Sequence, residues 1–263
     1  MNKVRLSGKT RTIFIVGDPI DQVKSPQGMT GYFQNTLGLD IVVVPARVTA
    51  EMLEPFTAGA RAMGNCLGLI ATIPHKAALL QLCDRSTGTA ATVRAANVAR
   101  FEDGALRGDH VDGQGLLGAA RAKCIEVAGS RALLVGAGGA GSAIGHTFLS
   151  AGLEHLVLSD KDRTRAEHLR DRLSSDFPDR VSVTSGKDRT DIIINATPLG
   201  MAPGDPLMFD LPTIRSARVA MDVVTATDDT PFIKMARSEG CTTVNGNEMF
   251  EAMRKPMADF FLG

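Results

Sequence analysis

Residues 133–142 read Leu133-Leu134-Val135-Gly136-Ala137-Gly138-Gly139-Ala140-Gly141-Ser142. An apolar run stops at glycines spaced G-x-G-x-x-G, which is typical of a strand that turns tightly into a helix. In such a turn Gly136 allows the bend, Gly138 lets the backbone approach a pyrophosphate, and Gly141 lets the helix lie close to the strand. The free N–H groups of the helix N-terminus then attract phosphate. The segment therefore predicts a dinucleotide-binding turn.

An acidic residue follows at a suitable distance along the chain. Asp160 stands about 20 residues further on, at the end of the apolar segment 156–159, where a carboxylate can accept hydrogen bonds from a ribose 2′-hydroxyl. A glycine motif alone is a weak signal, and a tight turn in another kind of α/β protein is the alternative. The preceding strand, the following helix and the acid together favour nucleotide binding.

The composition is that of an ordinary globular protein. The chain has 263 residues, 44% of them hydrophobic and 22% charged, and 29 Lys and Arg balance 29 Asp and Glu. This neutrality argues against nucleic acid or an acidic membrane as the main partner. The basic N-terminal segment lacks the apolar core of a signal peptide, and we expect no segment that crosses a bilayer.

The cysteines and histidines show no metal-type spacing. Four cysteines are scattered along the chain: Cys66, Cys83, Cys124 and Cys241. We therefore expect reduced thiols in a cytoplasmic protein. His75 and His110 have no third ligand at metal spacing beside them, so we expect no bound metal.

Strand-like runs alternate with helix-like segments along almost the whole chain. This alternation indicates an α/β protein with a parallel sheet wound by right-handed crossovers. Helices are predicted near Pro26–Leu37, Ala50–Met63 and Glu248–Phe261, and Pro256 should kink or interrupt the last of them. The pair Asp103-Gly104 predicts a hairpin turn.

Four polar residues outside the glycine loop could contribute chemistry, although each also has a simple structural explanation. Lys76 follows an apolar run and a proline, where it could donate and accept a proton or simply be a solvated lysine at a helix start. Asp112 and Ser25 each precede a helix-like segment and could cap it. Asn97 is unremarkable on its own.

Taken together, these segments resemble the shikimate/quinate dehydrogenase family. Seven short motifs occur in the family's order and cover almost the whole chain. They are Gly17–Ile20 with Lys24–Pro26, Ala71–Lys76, Ala96–Asn97, Gly108–Gly115, Gly136–Ser142, Asn195–Met201 and Thr230–Phe232. Any one motif is short, but seven in sequence are hard to explain by chance.

The resemblance implies a fold and an activity. It implies an N-terminal α/β substrate domain over residues 1–111, a Rossmann-type doubly wound parallel sheet over 112–244, and a C-terminal helix within 245–263 that packs back on the substrate domain. The implied activity is NAD(P)-dependent interconversion of a ring hydroxyl and a ketone on shikimate, quinate or a related cyclic acid, in the shikimate pathway of aromatic amino acid biosynthesis. The implied partner is a small molecule, and the implied assembly is a monomer or homodimer.

The resemblance also assigns roles in the reaction. Lys76 would be the acid/base and Asp112 its partner across a cleft. Oxidation of a hydroxyl needs its proton removed as hydride leaves the carbon, and the reverse reaction needs a proton donor at the carbonyl oxygen. The substrate's hydroxyls and carboxylate are assigned to polar side chains, namely Ser25, Thr72, Asn97 and Thr225.

The cofactor is assigned to the glycine loop and to residues that follow later strands. These are Gly136, Ala137, Gly138, Gly139, Ala140, Gly141, Asp160, Lys161, Arg165, Thr197, Val223 and Gly246. Family members that use NADP tend to have Asn-Arg-Thr where this chain begins Asp160-Lys161-Asp162. Asp160 would repel a 2′-phosphate, whereas Lys161, Arg163 and Arg165 would attract it. We therefore expect NAD to be preferred and leave NADP open.

Three positions depart from the family pattern. Val23 stands where the family has a hydroxyl residue, Thr225 where it usually has a tyrosine, and Met253 where it usually has a glutamine. All three positions normally touch substrate, and removing a buried hydrogen bond there typically costs about 1–3 kcal/mol. The chemistry residues remain while the recognition residues change, which indicates a weakened or shifted substrate preference.

Two alternatives remain open. The altered recognition residues also fit a catalytically weak or regulatory NAD-binding paralogue. A folate-type dehydrogenase of similar architecture would usually carry Y-x-x-x-K in its first domain, but Tyr32 is followed at the corresponding position by Thr36.

Overall fold

The chain forms two compact units, each built on its own sheet. The computed structural model describes residues 4–21, 23–184, 190–202, 204–226 and 228–263. Unit 1 comprises Met1–Val111 and Arg254–Gly263, and unit 2 comprises Asp112–Met253. The described residues of each unit contain a six-stranded sheet, and helices accompany both. The α/β architecture predicted from the sequence is confirmed.

Unit 1 has a mixed sheet. Its strands are β1 (Arg11–Gly17), β2 (Ile41–Arg47), β3 (Cys66–Ala71), β4 (Arg85–Ser86), β5 (Val98–Glu102) and β6 (Ala105–Asp109). Its first helices are α1 (Ser25–Gly31), α2 (Leu53–Arg61), α3 (Lys76–Leu82) and α4 (Gly88–Val93). The strand order is β2-β1-β3-β5-β6-β4. β1 runs parallel to β2 and β3, whereas β5 is antiparallel to both of its neighbours.

The core of unit 1 lies under the central strands. Val16, Leu69, Leu79 and Leu106 are almost wholly buried and belong to one cluster. β5 and β6 form the predicted hairpin, because β5 ends at Glu102 and β6 begins at Ala105. The connecting Asp103 and Gly104 both have positive φ, at 50° and 78°, as a tight hairpin turn requires.

Two predicted helices of unit 1 are less regular than the sequence pattern suggests. Instead of one helix over Pro26–Leu37, α1 ends at Gly31 and a π-helical turn follows over Tyr32–Thr36. Instead of one helix over Ala50–Met63, a 3₁₀ turn over Ala50–Met52 leads into α2. Apolar spacing alone does not distinguish these helix types, because it records which face is buried and not the hydrogen-bond pattern.

Unit 2 is a doubly wound parallel sheet. Its strands are β7 (Arg131–Val135), β8 (His155–Ser159), β9 (Val181–Val183), β10 (Ile192–Asn195), β11 (Val219–Asp222) and β12 (Thr242–Val244). Its helices are α5 (Asp112–Ala122), α6 (Gly139–Ser150), α7 (Arg163–Asp176), α8 (Leu211–Ser216) and α9 (Pro231–Ser238). The order is β12-β11-β10-β7-β8-β9, and every pair is parallel.

The strand order reverses between β7 and β10. Open α/β sheets bind ligands beyond the carboxyl ends of their strands at such a reversal. The sheet is rigid there because β7 and α6 contribute fully buried side chains to one core, including Leu134, Ile144 and Phe148. The edge formed by the carboxyl ends of the unit 2 strands is therefore the first place to look for a ligand site.

The sequence predicts a kink or an interruption at Pro256, and the last helix, α10 (Gly246–Leu262), runs through this residue without interruption. A proline in a helix interior costs about 3 kcal/mol, and burial of Met257, Ala258 and Phe261 beyond it offsets that cost. Only Arg254–Gly263 groups with unit 1, whereas the return was expected from residue 245. Among the described residues, no helix combines the length and apolarity needed to cross a membrane.

Candidate active site

The glycine loop of unit 2 brings α6 unusually close to β7. A Cβ built on Gly141 would overlap the carbonyl oxygen of Gly136, so only glycine fits there. Gly136 itself has φ of 109°, which L side chains rarely adopt. The loop therefore has the glycine roles that the sequence predicted for both residues.

The first turn of α6 has backbone N–H groups that no capping side chain binds. The N-cap is Gly138, which has no side chain to satisfy the free N–H groups of the first turn. A Cβ built on Gly138 would meet no heavy atom within 4 Å, so the space beside it is open. Free N–H groups, the positive end of the helix dipole and open space suit a pyrophosphate.

Asp160 connects the ends of β7 and β8. Its Oδ2 accepts a hydrogen bond from the backbone N–H of Ala137 at 2.7 Å, and its Oδ1 accepts one from Asp162 N–H at 2.9 Å. A carboxylate offers about four acceptor sites, so these two bonds leave capacity for ribose hydroxyls. The acid thus lies beside the glycine loop, as a nucleotide site requires.

Two of the basic residues near Asp160 each lie next to a carboxylate. Arg163 pairs with Glu167 at 2.9 Å on α7, and Arg165 lies 3.7 Å from Asp162. All four side chains are substantially exposed, so each pair contributes little to stability. Each pair still lowers the net positive charge that the two arginines present next to Asp160.

Residues after β10, β11 and β12 lie at the same sheet edge. A Cβ built on Gly136 would stand 2.7 Å from Ala196 O and 3.0 Å from the Thr197 side chain. A Cβ built on Gly246, the first residue of α10, would overlap the carbonyl group of Val224. Thr197 and Gly246 therefore each pack closely against a neighbouring loop of this edge.

A buried polar network supports these loops, and the sequence analysis did not identify it. Asn195 and Asp222 end β10 and β11 and are wholly buried. Asp222 accepts hydrogen bonds from Asn195 Nδ2 at 2.9 Å, from Val224 N–H at 3.0 Å and from the Thr230 hydroxyl at 2.6 Å. Burial raises the pKa of the Asp222 carboxyl, and these three hydrogen bonds act in the opposite direction.

Two candidate substrate residues of unit 1 follow the carboxyl end of β3. A Cβ built on Gly17, which ends β1, would overlap the Thr72 side chain, and Thr72 N–H donates to Val16 O at 3.0 Å. Lys76 opens α3, and its carbonyl accepts from Ala96 N–H at 2.9 Å. The segment after β3 is thus held by the end of β1 and by residues before β5.

Asn97 ties this end of the unit 1 sheet together. Its carbonyl accepts from Ala71 N–H at 2.8 Å, and its own N–H donates to Asp109 O at 3.0 Å. Its side-chain Oδ1 accepts from Val111 N–H at 2.9 Å. Asn97 therefore fixes the chain one residue before Asp112, which opens α5 and is 5% exposed.

The structure corrects one simpler expectation and shows the surroundings of two other residues. Ser25 does not cap α1, because the N-cap is Lys24 and Ser25 is the first helical residue, buried at 9% exposure. His75 is a buried structural residue whose Nε2 lies 2.6 Å from Val48 O. Thr225 is half-buried after β11.

The structure brings several of the predicted site residues together within each unit. Thr72, Lys76 and Asn97 gather at the carboxyl edge of the unit 1 sheet. The predicted cofactor residues gather at the carboxyl edge of the unit 2 sheet. Lys76 belongs to unit 1 and Asp112 to unit 2.

Comparison with known proteins identifies the family. Residues 15–99 match the family model described as the shikimate dehydrogenase substrate binding domain. A shikimate dehydrogenase (NADP(+)) from Rubrobacter xylanophilus is 37% identical over 257 residues, which cover 95% of this chain and 89% of the relative. This chain belongs to the shikimate dehydrogenase family. The family consists of NAD(P)-dependent oxidoreductases that act on CH–OH groups, and the resemblance stated from the sequence motifs is confirmed.

Solved structures of other proteins have the same fold. A shikimate 5-dehydrogenase from Listeria monocytogenes, in complex with shikimate and NAD, matches with a TM-score of 0.87 and 26% identity and covers 99% of this chain and 94% of its own. The ligand-free 5-ketofructose reductase of a Gluconobacter strain matches with a TM-score of 0.87 and 27% identity, over 98% and 94%. The same fold thus also occurs in an enzyme named for another compound, 5-ketofructose.

Two glycine substitutions test which position of the loop is tightly packed. Gly141→Ala should lower the melting temperature by several degrees, because its Cβ overlaps the Gly136 carbonyl and strain of about 1–3 kcal/mol has this effect. Gly138→Ala should lower the melting temperature less, by no more than about 2–4 °C, since its Cβ meets open space and N-cap Gly and Ala differ by only about 1 kcal/mol or less. Calorimetry of both variants checks this, and equal melting temperatures would contradict it.

Proposed function

We propose that this family member is an NAD(P)-dependent dehydrogenase that interconverts a ring hydroxyl and a ketone. Its substrate would be shikimate with 3-dehydroshikimate, quinate, or a related hydroxylated cyclic carboxylic acid. The observation that supports this best is the gathering of Thr72, Lys76 and Asn97 at the carboxyl edge of the unit 1 sheet. Lys76, the candidate proton-transfer group, lies four residues after Thr72 in the segment that follows β3, and Asn97 hydrogen-bonds Ala71 at the start of that segment.

In this proposal Lys76 and Asp112 act as the acid/base pair. Lys76 takes the proton from the substrate hydroxyl in oxidation and returns it to the carbonyl oxygen in reduction. Asp112 orients the lysine amine and one substrate hydroxyl by hydrogen bonds. When bound, NAD accepts the hydride and its reduced form returns it. The side chains of Ser25, Thr72 and Asn97 hold the remaining hydroxyls and the carboxylate.

NAD is the proposed preferred cofactor, although the curated relative from Rubrobacter xylanophilus is named for NADP(+). Asp160 and Asp162 put two carboxylates at the tip of β8, and both would repel a 2′-phosphate. Glu167 pairs with Arg163, and Asp162 itself lies beside Arg165. These ion pairs weaken the attraction that the arginines would otherwise exert on a phosphate.

The substrate preference is proposed to be weakened or shifted relative to the family. Val23 has no hydroxyl to offer a substrate carboxylate, and Thr225 and Met253 replace larger or more polar recognition groups that the resemblance leads us to expect. Without its hydrogen-bond partner, a polar substrate group in a desolvated site binds more weakly by about 1–3 kcal/mol. A panel of ring acids should therefore include shikimate, quinate and their analogues.

The same departures favour a second candidate, a catalytically weak or regulatory NAD-binding paralogue. This candidate predicts tight NAD binding without turnover across the panel. In either case we propose a small-molecule partner, a cytoplasmic location with reduced thiols, and a monomeric or homodimeric protein. The four cysteines, all free, are consistent with a reducing compartment.

Replacement of Lys76 tests the proposed acid/base. Lys76→Ala should lower kcat for the best substrate of the panel by about 10²–10⁴-fold, the usual contribution of a general acid or base. The cofactor Kd should change little, because the cofactor residues belong to unit 2. Steady-state kinetics with reduced-cofactor detection measures the first quantity and calorimetric titration measures the second.

Lys9→Ala serves as the control, since this lysine is exposed near the N-terminus. It should behave as wild type. Normal turnover by Lys76→Ala would remove the lysine from the mechanism.

Replacement of Asp160 tests the cofactor preference. Wild-type protein should bind NAD more tightly than NADP. Asp160→Asn removes one negative charge while its amide oxygen can still accept the Ala137 N–H, and the ratio of NAD to NADP affinity should fall by about tenfold. Asp171→Asn, an exposed acid further along α7, should not change the ratio. A wild-type preference for NADP would contradict the assignment.

A further inference from the structure

Asp222 is a carboxylate with no exposure to solvent. Burying such a group is costly unless hydrogen bonds satisfy it. Here the donors are Asn195, Val224 and Thr230, and each comes from a different segment of unit 2. The three bonds therefore join the end of β10, the loop after β11 and the start of α9 at one point.

Two of the three hydrogen bonds connect Asp222 to the loop after β10. Asn195 donates to Asp222, and its Oδ1 also accepts from the Thr197 N–H at 3.0 Å and the Thr197 hydroxyl at 2.7 Å. Thr230 packs against the same loop, because a Cβ built on Gly200 would lie 3.4 Å from Thr230 Cβ. Asn195 and Thr230 thus both hold the segment that contains Thr197.

The third hydrogen bond connects Asp222 to the loop after β11. Asp222 Oδ1 accepts the Val224 N–H, and the carbonyl group of Val224 lies against Gly246 at the start of α10. Asn247 reaches the same loop from α10, since its Nδ2 donates to Ala226 O at 2.8 Å. Asp222 therefore controls where Val223 and Val224 lie relative to α10.

The position of these loops in the sheet indicates which half of a dinucleotide they serve. A doubly wound sheet of this order has two mononucleotide-binding halves on either side of the reversal. The β7–β8 half carries the glycine loop and Asp160, which take the pyrophosphate and the adenosine ribose. The β10–β12 half remains for the nicotinamide mononucleotide, and the Asp222 network lies entirely in that half.

We propose that Asp222 is a positioning residue for the nicotinamide half of the cofactor site, acting through Asn195, Val224 and Thr230. This inference rests on the proposed function. Asp222 does not touch the cofactor. It fixes the backbone of the segments that contain Thr197, Val223 and Gly246, so its loss weakens nicotinamide binding while adenosine binding is kept.

Thr230 offers the sharpest test, because valine has nearly the same shape but no hydroxyl. Thr230→Val removes the hydrogen bond to Asp222 together with the N-cap of α9, in which the hydroxyl accepts the Ile233 N–H at 3.3 Å. Thr230→Ser keeps both bonds. Titration calorimetry with NAD measures the affinity of the whole cofactor site. A separate titration with ADP measures the affinity of the adenosine half alone. We expect Thr230→Val to raise the Kd of NAD by about tenfold and to leave the Kd of ADP within about twofold of wild type.

Further variants separate positioning from stability. Thr230→Ser should keep the Kd of NAD within about threefold of wild type. Asp222→Asn, which turns one acceptor into a donor, should weaken the binding of NAD but not the binding of ADP. This variant also tests the proposal if Thr230→Val does not fold. Asp210→Ala removes the N-cap of α8 in the same unit, so it should lower the melting temperature without changing either Kd.

Each outcome is decisive. Equal changes in the Kd of NAD and ADP, or wild-type values in both Thr230→Val and Asp222→Asn, would overturn the positioning role while the proposed function stands. Wild-type protein that binds ADP and NAD equally tightly would also overturn the role, since the nicotinamide half would then contribute nothing. Wild-type protein that binds none of ADP, NAD and NADP would refute the proposed function, and the inference with it.

Discussion

The close approach of α6 to β7 is the interaction on which the candidate cofactor site depends. Gly141 packs against the carbonyl of Gly136 without room for a methyl group. With any larger residue, α6 would begin further from the sheet, and its bare N-terminus at Gly138 would no longer face the carboxyl ends of the strands. The same loop geometry brings Ala137 N–H within reach of Asp160, so the acid and the helix N-terminus are fixed together.

Two aspartates hold the two halves of this sheet edge, and they do so in different ways. Asp160 is only partly buried, so its carboxylate can bind backbone N–H groups and still meet a ligand. Asp222 is fully buried, and internal donors surround its carboxylate. A buried carboxylate is costly to leave unsatisfied, which makes the second aspartate a strict constraint on its loops. In our proposal the first acid recognises a ligand directly, while the second fixes backbone segments of the same site.

Local sequence signals predicted much of this structure. The glycine spacing, the acid after β8 and the hairpin turn at Asp103-Gly104 each depend on residues close together in the chain, and each is found as expected. The π-helical turn over Tyr32–Thr36 was not predicted, because apolar spacing does not distinguish helix types. The unbroken helix through Pro256 was not predicted, because burial of the residues beyond it outweighs local preference. The bonds among Asn195, Asp222 and Thr230 were missed for another reason, since they join residues that only strand pairing brings together. In the sequence Asn195 and Thr230 were visible only as parts of family motifs.

The most direct test is a crystal structure of this protein grown with NAD. We expect pyrophosphate oxygens within hydrogen-bond distance of the N–H groups that begin α6, and a ribose hydroxyl bound to the carboxylate of Asp160. We expect the nicotinamide beside the loops that follow β10 and β11. A dinucleotide bound in the reverse direction, or bound away from the carboxyl edge of the unit 2 sheet, would contradict the assignment of this site.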